Sequence, residues 1–155
     1  MSLIEYPKKR KFAGDRKTSE PKGKSKNIKN KKLIYVIHKH SATHLHWDLR
    51  LEMGGVLKSW AIPKQPPATK KLKRLAIQVE DHPLEYASFK GIIPKGNYGA
   101  GEVEIWDKGT YEIKEKNKTK ILINILGKKL RGKYALIKTS YGNKPEKSWL
   151  FFKTD

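Results

Sequence analysis

The chain has 155 residues, of which 35 are Lys or Arg and 15 are Asp or Glu, giving a net charge of +20. That length holds one domain with a buried core rather than two, and the charge suits a polyanion, nucleic acid ahead of anionic lipid. The absence of cysteine excludes thiolate metal sites, disulfides and cysteine nucleophiles and fits a reducing, cytoplasmic setting. No apolar run approaches the roughly 20 residues that would span a bilayer, and Met1-Ser-Leu-Ile-Glu5 lacks the apolar centre of a signal peptide.

Residues 1–32 hold twelve Lys/Arg against three Asp/Glu, a net of +9, and few apolar anchors. They read as a basic, largely flexible arm preceding a domain over 33–155. Leu33 to Ile37 is a buried-strand run. A strand from about His44 to Met53 follows, then a Gly54-Gly55 hairpin turn into Val56–Ile62. Pro63, Pro66 and Pro67 end that strand. Further strands are expected over Leu75–Val79, Gly101–Trp106, Gly109–Ile113, Ile121–Ile125, Lys133–Thr139 and Ser148–Lys153, with a short helix around Leu84–Phe89. Many short strands separated by Gly, Pro and Asn predict a mainly β protein. An antiparallel barrel or sandwich is favoured, with one or two short flanking helices.

Chemistry concentrates in His40-Ser-Ala-Thr-His44-Leu-His46-Trp-Asp48-Leu-Arg50, which holds three of the five histidines. In a strand, alternation sends His44, His46, Asp48 and Arg50 to one face and Leu45, Trp47, Leu49 and Leu51 to a core face. His46 and Asp48, two apart, can meet one ion, and His40 can complete a facial set. Two imidazoles and a carboxylate suit Mn²⁺, Fe²⁺, Co²⁺ or Zn²⁺. His44 either competes for the ion or sits on the rim. Arg50 can orient the carboxylate, hold a phosphate oxygen bidentately, or be an ordinary surface arginine.

Lys64, after Ala61-Ile-Pro63, and Arg74 are further phosphate candidates. A second group, Gln78-Val-Glu80-Asp-His82-Pro-Leu-Glu-Tyr86, lies where a strand ends. His82 is a ligand, a proton donor or a phosphate hydrogen-bond donor there, and Tyr86 can orient it; capping roles in a turn are the plain alternative. The Gly91–Gly101 loop lacks P-loop spacing and reads as a structural corner. Trp47, Trp60, Trp106 and Trp149 read as core rather than base-stacking platforms.

These strings resemble the 3′-phosphoesterase domain of bacterial and archaeal DNA ligase D, in a stand-alone form. The likeness runs from Val36-Ile-His-Lys-His40 through His46-Trp-Asp48-Leu-Arg50-Leu-Glu52, Leu57–Lys64, Ala76–Tyr86, Ile93–Gly101 and Glu102–Gly109. It implies a β-barrel with Mn²⁺, or another divalent metal such as Co²⁺, on His40, His46 and Asp48. It implies a phosphate held by Lys64, Arg74 and His82, with Arg50, Glu80 and Tyr86 also required. The implied activity removes a 3′-terminal ribonucleoside and then the remaining 3′-phosphate, leaving a 3′-OH on a DNA primer–template. A nucleoid-associated repair monomer, working beside a separately encoded ligase or polymerase, is then expected. The N-terminus departs from the family's pattern: Arg10-Lys11-Phe12 and Thr18-Ser-Glu20 leave a lysine in place of an acid unless Asp15 supplies it, while Arg10 and Glu20 fit as accessory residues. Two rival classes are a non-catalytic basic module binding nucleic-acid ends, and a metal-dependent barrel enzyme acting on small molecules. The small-molecule reading leaves the charge unexplained.

Overall fold

The computed structural model describes residues 32–97, 100–142 and 144–155. The arm assigned to residues 1–32, including Arg10, Asp15 and Glu20, therefore lies outside the described residues except for Lys32. Among the described residues nine strands run in chain order: β1 Leu33–Ser41, β2 Leu45–Met53, β3 Val56–Ile62, β4 Lys73–His82, β5 Gly91–Ile93, β6 Gly101–Lys116, β7 Lys120–Leu126, β8 Arg131–Lys138 and β9 Ser148–Lys153. Hydrogen bonding follows the order β1-β2-β3-β4-β9-β8-β7-β6, and a β1–β6 pairing closes the circle. All pairs are antiparallel, so the fold is an eight-strand closed barrel, with β5 added outside along β6. Two 3-10 turns, Leu84–Ser88 and Pro145–Lys147, supply the short flanking helices. Among the described residues no helix is long and apolar enough to cross a membrane.

Closure removes every exposed edge of the eight-strand wall and turns one face of each strand inward. The inward set includes Tyr35, Ile37, Leu49, Leu51, Trp60, Ile62, Ile123, Ile125, Leu136 and Phe151, all fully or almost fully buried in one cluster. Each such side chain contributes about 1.5–3 kcal/mol on burial. Trp47, Trp60 and Trp149 belong to that cluster and Trp106 packs against it, which confirms their core role. Gly54 and Gly55 have φ of 62° and 85° and join Met53 to Val56, as a two-residue hairpin turn requires.

Three expectations change. Leu45 is exposed rather than part of the core, because β2 begins there, opposite Ser41 at the last rung of β1, where the barrel wall ends. The two strands expected over Gly101–Trp106 and Gly109–Ile113 are one. At the interruption, Asp107 is buried and accepts from the backbone N–H groups of Lys128, Lys129 and Leu130 and from the Tyr35 hydroxyl. Gly109 there meets the Leu126 carbonyl so closely that a Cβ would collide with it. The acid is a structural tie. Third, the glycine loop contributes β5, too short to register as a pattern.

Two irregularities shape the wall. Between Ile37 and His38 the β1–β6 register slips, with Ile37 opposite Asp107 and His38 opposite Ile105. Between Leu57 and Ser59 the β3–β4 register slips likewise, with Leu57 opposite His82 and Ser59 opposite Val79. Bulges re-aim side chains, and these two flank a group of buried polar residues on the outer face of the wall.

Candidate metal centre

Neighbouring strands bring that polar group together by register. His40 pairs with His46 and His38 with Asp48 across β1 and β2, and Arg50 pairs with Ser59 across β2 and β3. His38, His40, Asp48, Arg50, Ser59 and His82 are all buried, although none belongs to the apolar cluster. They occupy the face opposite the core, beneath the Leu84–Ser88 turn that carries Tyr86.

His40, His46 and Asp48 can offer three ligand atoms that lie within 4.8 Å of one another. Asp48 Oδ1 is 3.3 Å from His46 Nε2, and Oδ2 is 3.7 Å from His40 Nδ1. Adjacent ligands about 2.1 Å from one ion stand about 3 Å apart, so this set fits a divalent transition metal after a small inward adjustment. His46 Nδ1 lies 3.0 Å from the His44 carbonyl. Donation there fixes the tautomer and points the Nε2 lone pair toward the set. His44 thus contributes its backbone, while its side chain is exposed, in keeping with a rim position.

Arg50 links the metal set to the rest of the site. Nη2 donates to Asp48 Oδ2 at 3.2 Å, Nε donates to His38 Nδ1 at 3.0 Å, and Nη1 donates to Ser59 Oγ at 2.8 Å. Nη1 also stands 3.2 Å from His82 Nδ1, and the Tyr86 ring lies under the guanidinium with Cζ 4.9 Å from its centroid. Among the described residues, four of the five N–H donors have an acceptor when His82 accepts, the fifth being on Nη2. This geometry places Arg50 to orient the Asp48 carboxylate.

Burial opposes ionisation of Asp48, but the Arg50 charge and the two neighbouring imidazoles outweigh it and hold the carboxyl well below the usual carboxylate range. For His46 burial favours the neutral ring, yet the Asp48 carboxylate prevails and raises its pKa. His38 goes the other way. Burial, reinforced by the Arg50 charge, pushes it down to about 3. That agrees with its bonding, since Nδ1 accepts from Arg50 and Nε2 meets the Phe89 carbonyl at 3.0 Å.

His82 closes the strand end as expected. Its Nδ1 is 3.1 Å from the Glu80 carbonyl and 3.2 Å from Arg50 Nη1; the first contact needs a proton on Nδ1 and the second needs none. Its ring lies 4.7 Å from that of Tyr86, which stacks in turn on Phe89. Lys64 is exposed just beyond β3, at the end where Ile62 pairs with Trp47 beside His46. Arg74, on β4, donates from Nε to the neighbouring Gln65 carbonyl at 2.8 Å. Glu80 is exposed, and its carbonyl is the part facing His82. His40, His46, Asp48, Arg50, His82 and Tyr86 thus form one connected group, while Lys64 lies on the β3–β4 connection and Arg74 at the start of β4, outside its bonds. Sequence reasoning missed His38 and Ser59. His38 was accessible through its phase with His40 on β1; Ser59 carried no signal.

Residues 38–138 match the family described as the DNA Ligase D 3′-phosphoesterase domain. The chain belongs to this family. A Multifunctional non-homologous end joining protein LigD of Pseudomonas aeruginosa is 44% identical over 159 residues, which cover 97% of this chain and 18% of that protein. The Multifunctional non-homologous end joining DNA repair protein LigD of Mycobacterium tuberculosis is 45% identical over 128 residues, 80% of this chain and 17% of that protein. This phosphoesterase-family chain therefore spans less than a fifth of the length of the curated relatives it matches, and the matched segment contains the whole polar group on the barrel wall.

Proposed function

We propose that the chain is a metal-dependent 3′-phosphoesterase of DNA ends, removing a 3′-terminal ribonucleoside and then the 3′-phosphate to leave a 3′-OH. The carrying observation is the shared carboxylate: Asp48 faces both imidazoles and the Arg50 guanidinium, so a cation site and a fixed positive charge adjoin. A basic module that merely bound ends would have no need to gather two histidines about a buried acid already paired with an arginine. Membership of the phosphoesterase family supports the reaction class, and the net charge of +20 supports a nucleic-acid substrate.

A divalent ion, Mn²⁺ in this reading, held by His40, His46 and Asp48 would supply Lewis acidity to a phosphate oxygen and lower the pKa of a nearby water. Arg50 holds Asp48 in place and adds positive potential in a buried setting, where charge stabilisation of a phosphoryl transition state is strongest. Lys64 and Arg74 at the rim take the outer phosphate oxygens. His82 has two working states. As imidazolium it donates to the Glu80 carbonyl from Nδ1 and can give its Nε2 proton to the leaving oxygen, which leaves the neutral Nδ1–H ring. With Nδ1 accepting from Arg50 the ring is neutral and its Nε2–H serves as a hydrogen-bond donor to a phosphate oxygen. Tyr86 holds the His82 ring, and Glu80 anchors it through its carbonyl. Arg10 and Glu20 are assigned accessory contacts from the arm over residues 1–32. DNA primer–templates bearing a 3′ ribonucleotide or 3′-phosphate are the proposed substrates, and a ligase or polymerase is the proposed consumer of the product.

A 5′-labelled primer–template with one 3′ ribonucleotide, incubated with and without Mn²⁺, tests this. The expected result is a metal-dependent ladder through a 3′-phosphate to a 3′-OH. His46→Ala is expected to slow both steps more than roughly 100-fold while leaving the unfolding midpoint of the metal-free protein near that of wild type. Near-normal turnover of that variant at saturating Mn²⁺ would sink the metal assignment, and unaltered substrate with active-site titrated wild type would sink the reaction.

A further inference from the structure

We propose that His38 is a positioning residue for Arg50: as its Nε2–H tautomer it sets the direction of the Arg50 Nε–H bond, and through it the orientation of the guanidinium against Asp48. The inference rests on the proposed function for its catalytic consequence, but the geometry stands independently.

His38 is fully buried on β1 at the register slip against β6. It has two polar atoms, and the structure provides each with one partner of opposite demand. Nδ1 faces the Arg50 Nε–H at 3.0 Å, so it must be bare; Nε2 faces the Phe89 carbonyl at 3.0 Å, so it must carry the proton. A proton on Nδ1 would set two donors against each other at Arg50 Nε–H, and a ring protonated on both nitrogens would also place two cations in contact. The neutral ring with hydrogen on Nε2 is the one form that satisfies both neighbours.

Among the described residues four side chains meet the guanidinium nitrogens: Asp48 at Nη2, Ser59 and His82 at Nη1, and His38 at Nε. Tyr86 supports its face and also meets the His38 ring edge-on, with centroids 5.3 Å apart. Among the described residues only His38 restrains the Nε corner. Without that anchor the group can pivot about the Nη1–Ser59 bond, and Nη2 then leaves the Asp48 oxygen. Neutrality also matters. A carboxylate at position 38 would accept from Nε equally well but would cancel the Arg50 charge, whereas an uncharged acceptor aims Arg50 without weakening its field. The same ring ties β1 to the Phe89 carbonyl, just beyond the turn that carries Tyr86, so both sides of Arg50 are set from one residue.

Two amide variants separate the ring's two bonds. The side-chain oxygen of His38→Asn can occupy the Nδ1 position and accept from Arg50. The longer His38→Gln places its amide near Nε2, keeping the Phe89 link and losing the Arg50 acceptor. The expected outcome is a roughly 10–100-fold lower kcat for phosphate release in His38→Gln, the usual cost of losing an outer-shell partner. His38→Asn is expected to recover most of that loss. Equal damage from the two variants, or a harmless Gln, overturns the proposal. ¹⁵N NMR of labelled histidine and arginine gives a readout free of activity. Wild type is expected to show His38 protonated on Nε2 alone and a slowly exchanging Arg50 Nε–H that persists in Asn and is lost in Gln. The opposite tautomer, or an Nε–H signal surviving in Gln, overturns it even if wild type releases no phosphate, a result that would instead defeat the proposed function.

Discussion

His46 Nε2 is the nitrogen that faces Asp48, and in the metal-free protein the carboxylate favours a proton there, raising the pKa above the ordinary imidazole value of 6.5. An ion needs the same lone pair, so binding must expel that proton. The sign follows directly. Above the raised pKa the site is ready, and as pH falls through it, Mn²⁺ affinity drops about tenfold per pH unit, the slope for one displaced proton. Asp48 adds no second proton over this range, because its carboxyl stays ionised well below the usual carboxylate range. Titration calorimetry at several pH values between 8 and 5.5 checks this; affinity independent of pH would show that His46 is not a ligand.

At the scale of strands, the residues that hold the site were legible where side-chain alternation is strict. His46, Asp48 and Arg50 follow from β2 alone, because a buried apolar face on Trp47, Leu49 and Leu51 leaves the other set no choice of side. His38 was obscured by the apolar run before it, and the β1–β6 slip that seats it is a property of two strands. Ser59 and the Phe89 carbonyl were invisible in principle, since a lone serine in an apolar strand and a backbone oxygen have no distinguishing letter. β6 was split for a related reason: Asp107-Lys108 interrupts the apolar pattern, and the four donors that seat Asp107 come from β1 and from the β7–β8 connection. Gly101 offers a test at this scale. It has φ of 133° opposite the end of β1, and a Cβ would run into the Ser41 carbonyl, one residue past His40. Gly101→Ala is expected to cost more than about 1 kcal/mol and to weaken Mn²⁺ binding by shifting His40. An unchanged denaturation midpoint together with unchanged metal affinity would contradict that account.

Over the whole molecule, the charge of +20 dominates behaviour with DNA, and the +9 on residues 1–32 is a large part of it. If six or more phosphates are contacted, the affinity for a primer–template falls roughly 10³-fold between 50 and 200 mM salt, as counterion release dictates. A chain of residues 33–155 begins at the first residue of β1 and retains the complete barrel, so it is expected to fold and to bind with a shallower salt dependence. Parallel log-affinity plots for the two chains would show that residues 1–32 make no phosphate contacts.

The barrel wall keeps its apolar residues on one side and its chemistry on the other. In most enzymes, stiffening the interior risks the strained or mobile parts that turnover needs. Here the lumen residues share strands with the reactive groups but not their surroundings. Volume-filling changes among the inward side chains would accordingly raise heat resistance with little loss of rate. That makes this wall a scaffold on which robustness and reactivity can be evolved as separate traits.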